Sequence, residues 1–121
     1  MKILIVDDST VVRTVVKQAL ALGGYTDLLE AVDGVVALEV ARAQSAAIGL
    51  YVLDVNMPNM DGITLVGELR KLGAKAPIIM LTTETDKGKM TQAKELGATG
   101  WIIKPFDAEK FLGVVRLFVK K

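Results

Sequence analysis

Residues 2–10 read KILIVDDST, and this stretch sets the grammar of the whole chain. The apolar run at 2–6 is short and β-branched, as a buried strand is, and it ends in two aspartates. Ser9 then stands where a helix cap belongs. Behind it Val12, Val15, Val16, Ala19 and Leu22 recur at helical spacing until Gly23-Gly24 interrupts them. A strand that delivers acidic groups to a turn, followed by a capped amphipathic helix, is one βα unit.

The same grammar runs to the end of the chain. A short strand at 27–31 precedes Asp33-Gly34 and a helix with Ala37, Leu38 and Ala41 inward, and residues 48–53 form the third strand. Asp61-Gly62 opens a helix carrying Val66 and Leu69 that ends near Gly73, and residues 77–81 read as a fully buried strand. Asp86 caps a more polar helix with Lys87, Lys89, Lys94 and Glu95 exposed, ending at Gly97. Residues 101–103 are the last strand, before a helix begun at Asp107 with Leu112, Val115 and Phe118 inward. Strands this apolar need cover on both faces, and right-handed crossovers supply helices on both sides of a parallel sheet. The expected fold is α/β and doubly wound.

Composition narrows the chemistry. The chain has 121 residues, the size of one domain spanning 1–121, and a 51% hydrophobic share that supports a real core. Fifteen basic and 14 acidic residues give a net charge of +1, which does not point to nucleic acid or an anionic membrane as partner. With no cysteine and no histidine, disulfides, thiol nucleophiles, histidine bases and the usual zinc sites are excluded. The chemistry must use carboxylates, hydroxyls, amines and hard cations. No long uncharged apolar run or signal peptide appears, so a cytoplasmic location is expected.

In an open α/β sheet, ligands gather beyond the carboxyl ends of the strands. There the runs end in Asp7-Asp8, Asp54, Thr82-Thr83 and Lys104-Pro105. Asp33, Asp61, Asp86 and Asp107 fit the simpler role of helix caps. Asp7, Asp8 and Asp54 are expected to crowd together, where two like charges at 4 Å repel by about 1 kcal/mol in water and about 4 at an intermediate dielectric. Crowding of this kind calls for a cation. Oxygen ligands alone, with room for water, suit Mg²⁺, which keeps coordination sites open for a phosphate oxygen. A carboxylate beside Mg²⁺ and the Lys104 ammonium can act as a nucleophile toward phosphorus, and Asp54, alone at the end of a central strand, is the candidate.

The motifs ILIVDDST (3–10), LDVNMPNMDG (53–62), MLTTE (80–84) and GATGWIIKPF (97–106) resemble the receiver domain of bacterial two-component response regulators, and within that family its single-domain chemotaxis members. The resemblance spans the whole chain. It implies a flavodoxin-like (βα)5 fold with strand order 2-1-3-4-5, this family being itself a standard example of that order. It also implies roles: Asp54 as phosphoacceptor, Asp8 as a direct Mg²⁺ ligand, Asp7 as a ligand through water, and Asn56 as a ligand through its backbone carbonyl. Lys104, the Thr82 hydroxyl and the Thr83 N–H would hold phosphoryl oxygens, and the Lys104-Pro105 bond would be cis. Asn56 and Glu84 would tune hydrolysis, which implies a short-lived signal. Thr82 and Trp101 would form the switch, although the family more often has tyrosine where Trp101 stands, and static packing is the simpler role for that ring.

The implied donor is a phosphohistidine on a chemotaxis-type histidine kinase. The implied target is a flagellar motor switch protein, bound through the fourth helix, fifth strand and fifth helix, with a phosphatase as a further partner and the chain itself monomeric. Other readings are a phosphate sink or relay intermediate, or the receiver part of a longer DNA-binding regulator. A haloacid-dehalogenase-like phosphatase is a remote alternative, because such enzymes place two aspartates two apart after the first strand, whereas Asp7 and Asp8 are adjacent.

Overall fold

The computed structural model describes residues 1–82 and 87–119. Along the chain run β1 (Lys2–Val6), α1 (Thr10–Leu22), β2 (Leu28–Ala31), α2 (Gly34–Gln44), a 3-10 turn (Ser45–Ala47), β3 (Ile48–Asp54), α3 (Gly62–Lys71), β4 (Ile78–Thr82), α4 (Lys87–Leu96), β5 (Gly100–Ile103) and α5 (Ala108–Phe118). The five strands form one parallel sheet in the order β2-β1-β3-β4-β5, as the resemblance implied.

Alternation along each strand splits the core into two layers. Ile3 and Ile5 of β1, Leu50 and Val52 of β3, and Ile79 and Leu81 of β4 pack against Val16 and Leu20 of α1 and Phe111, Leu112 and Val115 of α5. Their neighbours Leu4, Val6, Tyr51, Leu53, Ile78 and Met80 face the other way, onto Ala37, Leu38 and Ala41 of α2, Val66 and Leu69 of α3, and Ala93 of α4. The central strands are therefore buried on both faces, while the edge strands β2 and β5 are only partly buried.

Two local expectations need correction. In α1 the buried residues are Val16, Ala19 and Leu20, whereas Val15 is 43% and Leu22 76% exposed. A helix turns about 100° per residue, so Leu22 lies about 200° from Leu20 and faces away. The strands β3 and β4 also run one residue further than their apolar runs. Asp54 and Thr82 still take register partners, Leu81 and Ile103, so backbone pairing continues after hydrophobicity has stopped.

The caps are as read. Ser9, Asp33, Asp61 and Asp107 accept the backbone N–H groups of Val12, Val36, Thr64 and Lys110 at 3.2, 2.9, 2.8 and 2.8 Å. Asp86 lies outside the described residues, as do Thr83 and Glu84. The Lys104-Pro105 bond is cis. No helix among the described residues is long and apolar enough to cross a membrane.

Candidate functional site

Parallel pairing brings the carboxyl ends of β1, β3, β4 and β5 to one rim, and strand alternation sorts their polar groups by face. Asp7 follows Ile5 by two residues, Asp54 follows Val52 and Lys104 follows Ile102, so all three continue the rows that face α1 and α5. Thr82 follows Met80 by two and shares with Trp101 the opposite face, toward α2, α3 and α4. The acidic groups and Thr82 thus reach one rim from opposite faces of the sheet, while Trp101 sits two residues short of it, in register with Met80.

One oxygen from each of Asp7, Asp8 and Asp54 lies within 4.8 Å of the others. Asp7 and Asp54 are only 1% and 6% exposed, and Asp8 is open to solvent. Lys104 Nζ donates to Asp54 Oδ1 at 2.8 Å and stands 3.6 Å from Asp7 Oδ2. Its position is fixed from the backbone, since Lys104 N–H donates to Thr82 O at 2.7 Å. Asp7 Oδ1 accepts the Ser9 N–H at 2.9 Å, but its Oδ2 is buried with no hydrogen bond.

Charge follows from this geometry. Burial raises the Asp7 carboxyl above its ordinary range; the Ser9 N–H pulls it back, and the neighbouring Asp54 charge pushes it up again. Burial works against the Lys104 ammonium, but the hydrogen bond and charge of Asp54, joined by the charge of Asp7, outweigh it and raise its pKa. Lys104 pairs with two carboxylates of a cluster of three, and a buried carboxylate oxygen lacks a hydrogen-bond donor. A donor set made only of oxygens, with one oxygen orphaned, fits a hard divalent cation.

A pH experiment reads this directly. Because Asp7 keeps its proton to a higher pH in the folded state than in the unfolded chain, the folded state binds more protons in that window, and stability rises as pH falls through it. Glu30 and Asp33, whose carboxyls are held below the ordinary range by their hydrogen bonds, act in the opposite sense, so the Asp7 part is read as the difference between the parent and Asp7→Asn. Without added metal, the urea midpoint of the parent is expected to gain on that of Asp7→Asn as pH is lowered from neutral toward about 4, near the unfolded carboxylate value. With saturating Mg²⁺ the trend is expected to reverse, since protons then compete with the ion. Identical pH profiles with and without Mg²⁺ would count against a cation at these carboxylates.

Three features escaped the sequence reading. Arg13 of α1 donates to the Asp7 carbonyl at 2.6 Å and to Glu30 of β2 at 3.0 Å, while Lys17 pairs with the same glutamate at 3.0 Å. The signal was a basic pair four apart on α1, but its partner is visible only once β2 is known to lie beside β1. Lys89 of α4 reaches Asn56 Oδ1 at 3.2 Å, tying the fourth helix to the rim. Asn59, in the β3–α3 turn, donates to the α2 cap Asp33 at 2.8 Å. Among the expected switch residues, Thr82 is buried and Trp101 half-buried. Trp101 borders a cleft of about 380 Å³ with Lys87, Met90, Thr91 and Lys94 of α4.

Comparison with known proteins agrees with this geometry. The sequence matches the response regulator receiver domain family over residues 3–116. It is 42% identical over 111 residues to the chemotaxis protein CheY1 of Helicobacter pylori, an alignment covering 90% of this chain and 89% of the relative. Among solved structures, chemotaxis protein CheY4 of Vibrio cholerae superposes with a TM-score of 0.86 at 40% identity, covering 98% of each chain. A complex of CheX, CheY, BeF3 and magnesium from Borrelia burgdorferi gives a TM-score of 0.92 at 30% identity, covering 99% of this chain and 90% of that one.

Proposed function

Since the chain belongs to the response regulator receiver domain family, as a receiver of the CheY chemotaxis type, we propose that Asp54 accepts a phosphoryl group in a magnesium-dependent reaction and that the phosphorylated domain binds a downstream protein. The observation that carries this reading is the convergence of Asp7, Asp8, Asp54 and Lys104 at one rim.

Lys104 holds Asp54 Oδ1, which leaves Oδ2 to attack phosphorus. The new O–P bond forms as the bond from phosphorus to the donor nitrogen or oxygen breaks, and the donor leaves with the bonding electrons. A bound Mg²⁺ supplies charge neutralisation for the transferring group. Asp7, Asp8, Asp54 and the Asn56 carbonyl would hold that ion, with the contact of Asp7 made through water. Lys104 and Thr82, with Thr83, receive the phosphoryl oxygens. Asn56, with Glu84, which lies outside the described residues, is assigned the tuning of how long the acyl phosphate lasts.

The donor is a phosphohistidine on a chemotaxis-type kinase, a group this chain cannot supply because it has no histidine. Thr82 and Trp101, on one face of the sheet, connect the phosphoryl group to the cleft beside α4. A flagellar motor switch protein is the proposed target, through α4, β5 and α5. The complex from Borrelia burgdorferi, which contains CheX, BeF3 and magnesium, supports Mg²⁺ as the ion and a CheX-like protein as a further partner.

Incubation with acetyl phosphate and Mg²⁺, followed by mass spectrometry of the intact chain and of its peptides, tests the reading. A single phosphoryl adduct on Asp54, dependent on Mg²⁺ and absent from Asp54→Asn, is expected. An adduct that persists in Asp54→Asn would show that another carboxylate is the acceptor.

A further inference from the structure

The connection from β3 to α3, residues 55–61, carries Asn56, and its two ends are anchored in different ways. At the near end Val55 N–H donates to Leu81 O at 3.1 Å, and Val55 O accepts the Gly62 N–H at 2.8 Å. At the far end Asn59 has a φ of 68°, in the left-handed region that asparagine enters more readily than other non-glycine residues. In that conformation its Nδ2 donates to Asp33 Oδ2 at 2.8 Å.

Asp33 is already fixed, since it is buried and its Oδ1 caps α2 through the Val36 N–H at 2.9 Å. Beside it Met60 fills the space that a Cβ at Gly34 would need, at 2.8 Å. Asp33-Gly34 is thus a seat on α2 for Asn59-Met60. Between the anchors, Asn56 and Pro58 are exposed, and the side-chain contact described above, from Lys89 Nζ to Asn56 Oδ1 at 3.2 Å, holds the Asn56 amide and not its backbone carbonyl. Asn56 is at most about 10 Å of chain from Asn59, with the fixed φ of Pro58 in between. The main-chain path from Asn56 to Pro58 thus runs between two anchored ends, with a further bond from Met60 N–H to Pro58 O at 2.7 Å inside the far one.

We propose that Asn59 is a positioning residue for the cation site: its bond to Asp33 holds residues 56–58 in the shape that turns the Asn56 carbonyl toward the metal. The inference rests on the reading above that this carbonyl is a ligand. The readout is metal affinity. A partner that orients a ligand typically alters affinity by about 10- to 100-fold.

Calorimetric titration of the whole chain with Mg²⁺, alongside urea midpoints measured without metal, is the experiment. Asn59→Gly accepts the positive φ but removes the amide; about tenfold weaker Mg²⁺ binding with a nearly unchanged metal-free midpoint is expected. The double exchange Asp33→Asn with Asn59→Asp reverses donor and acceptor, keeps a capping oxygen at position 33, and is expected to recover most of the affinity. Binding by Asn59→Gly within about twofold of the parent, or no recovery in the double exchange, overturns the proposal. So does a metal-free midpoint that falls enough to account for the whole loss. Asp8→Asn separates the layers: if it too binds Mg²⁺ like the parent, the cation-site reading itself has failed.

Discussion

Gly62→Ala is expected to destabilise the domain by about 3 kcal/mol and to abolish labelling by acetyl phosphate together with it. A Cβ at position 62 would overlap the backbone carbonyl oxygen of Asp54 and lie 2.9 Å from its carbon and 3.0 Å from Val55 Cα. All three are main-chain atoms, so no side chain can swing aside. Either the start of α3 or the end of β3 must move, and the end of β3 carries the proposed phosphoacceptor. Loss of the 2.8 Å bond from Gly62 N–H to Val55 O would follow. Urea denaturation followed by circular dichroism, with mass spectrometry of the phosphoryl adduct, reads both effects. Gly113→Ala is the control: on exposed α5 surface a Cβ there meets nothing within 4 Å, so it should be stabilising by up to about 1 kcal/mol. If Gly62→Ala were as stable as the parent, the close approach of α3 to β3 would not be holding Asp54 in place.

Gly62 also marks where sequence reading stops. Asp61-Gly62 is legible as a helix start, because capping depends on residues three apart, and Asp61 does accept the Thr64 N–H. That the glycine is pressed against Asp54 depends on how a helix packs on a strand eight residues earlier, which no local pattern records. The acidic rim was legible for a related reason. Asp7, Asp54 and Lys104 each end an apolar run, and parallel strands with helical crossovers put all such ends on one side. Which face of the sheet each side chain takes follows from counting by twos from buried residues, and the separation of Thr82 and Trp101 from the carboxylates emerges only then. Val15 and Leu22 were misplaced because the valines and leucines of α1 cover an arc wider than the stripe that is buried, so spacing alone admits more than one inward direction. Arg13 and Asn59 were missed because their partners, Glu30 with the Asp7 carbonyl and Asp33, lie on other elements.

Lys104→Met is expected to lower metal-free stability at neutral pH and to raise the affinity for Mg²⁺. The ammonium is the nearest cation to Asp54 Oδ1, at 2.8 Å, and to the orphaned Asp7 Oδ2, at 3.6 Å. Removing one partner of a fully buried ion pair costs about 3–5 kcal/mol because the remaining charge is stranded. Lys104 keeps 27% of its side chain exposed, so water screens part of the effect and about 1–3 kcal/mol is the expected loss. Lowering the pH should shrink that loss, since a protonated Asp7 no longer needs the lysine, and Asp7 already takes its proton at a higher pH than an ordinary carboxyl. Raising the pH erodes the parent instead: the Lys104 pKa is elevated in the fold, so its contribution is complete below the unfolded value of 10.5 and disappears as pH climbs through the folded one. Saturating Mg²⁺ should restore much of the variant's stability, because the ion takes over the charge balance and no longer competes with an ammonium for Asp54. Phosphorylation should be slowed but remain magnesium-dependent, as the lysine in the proposed reaction holds a phosphoryl oxygen and makes no bond to phosphorus. Equal metal-free urea midpoints for Lys104→Met and the parent at neutral pH would show that the three carboxylates tolerate one another without help, and the electrostatic case for a cation at this rim would lose its foundation.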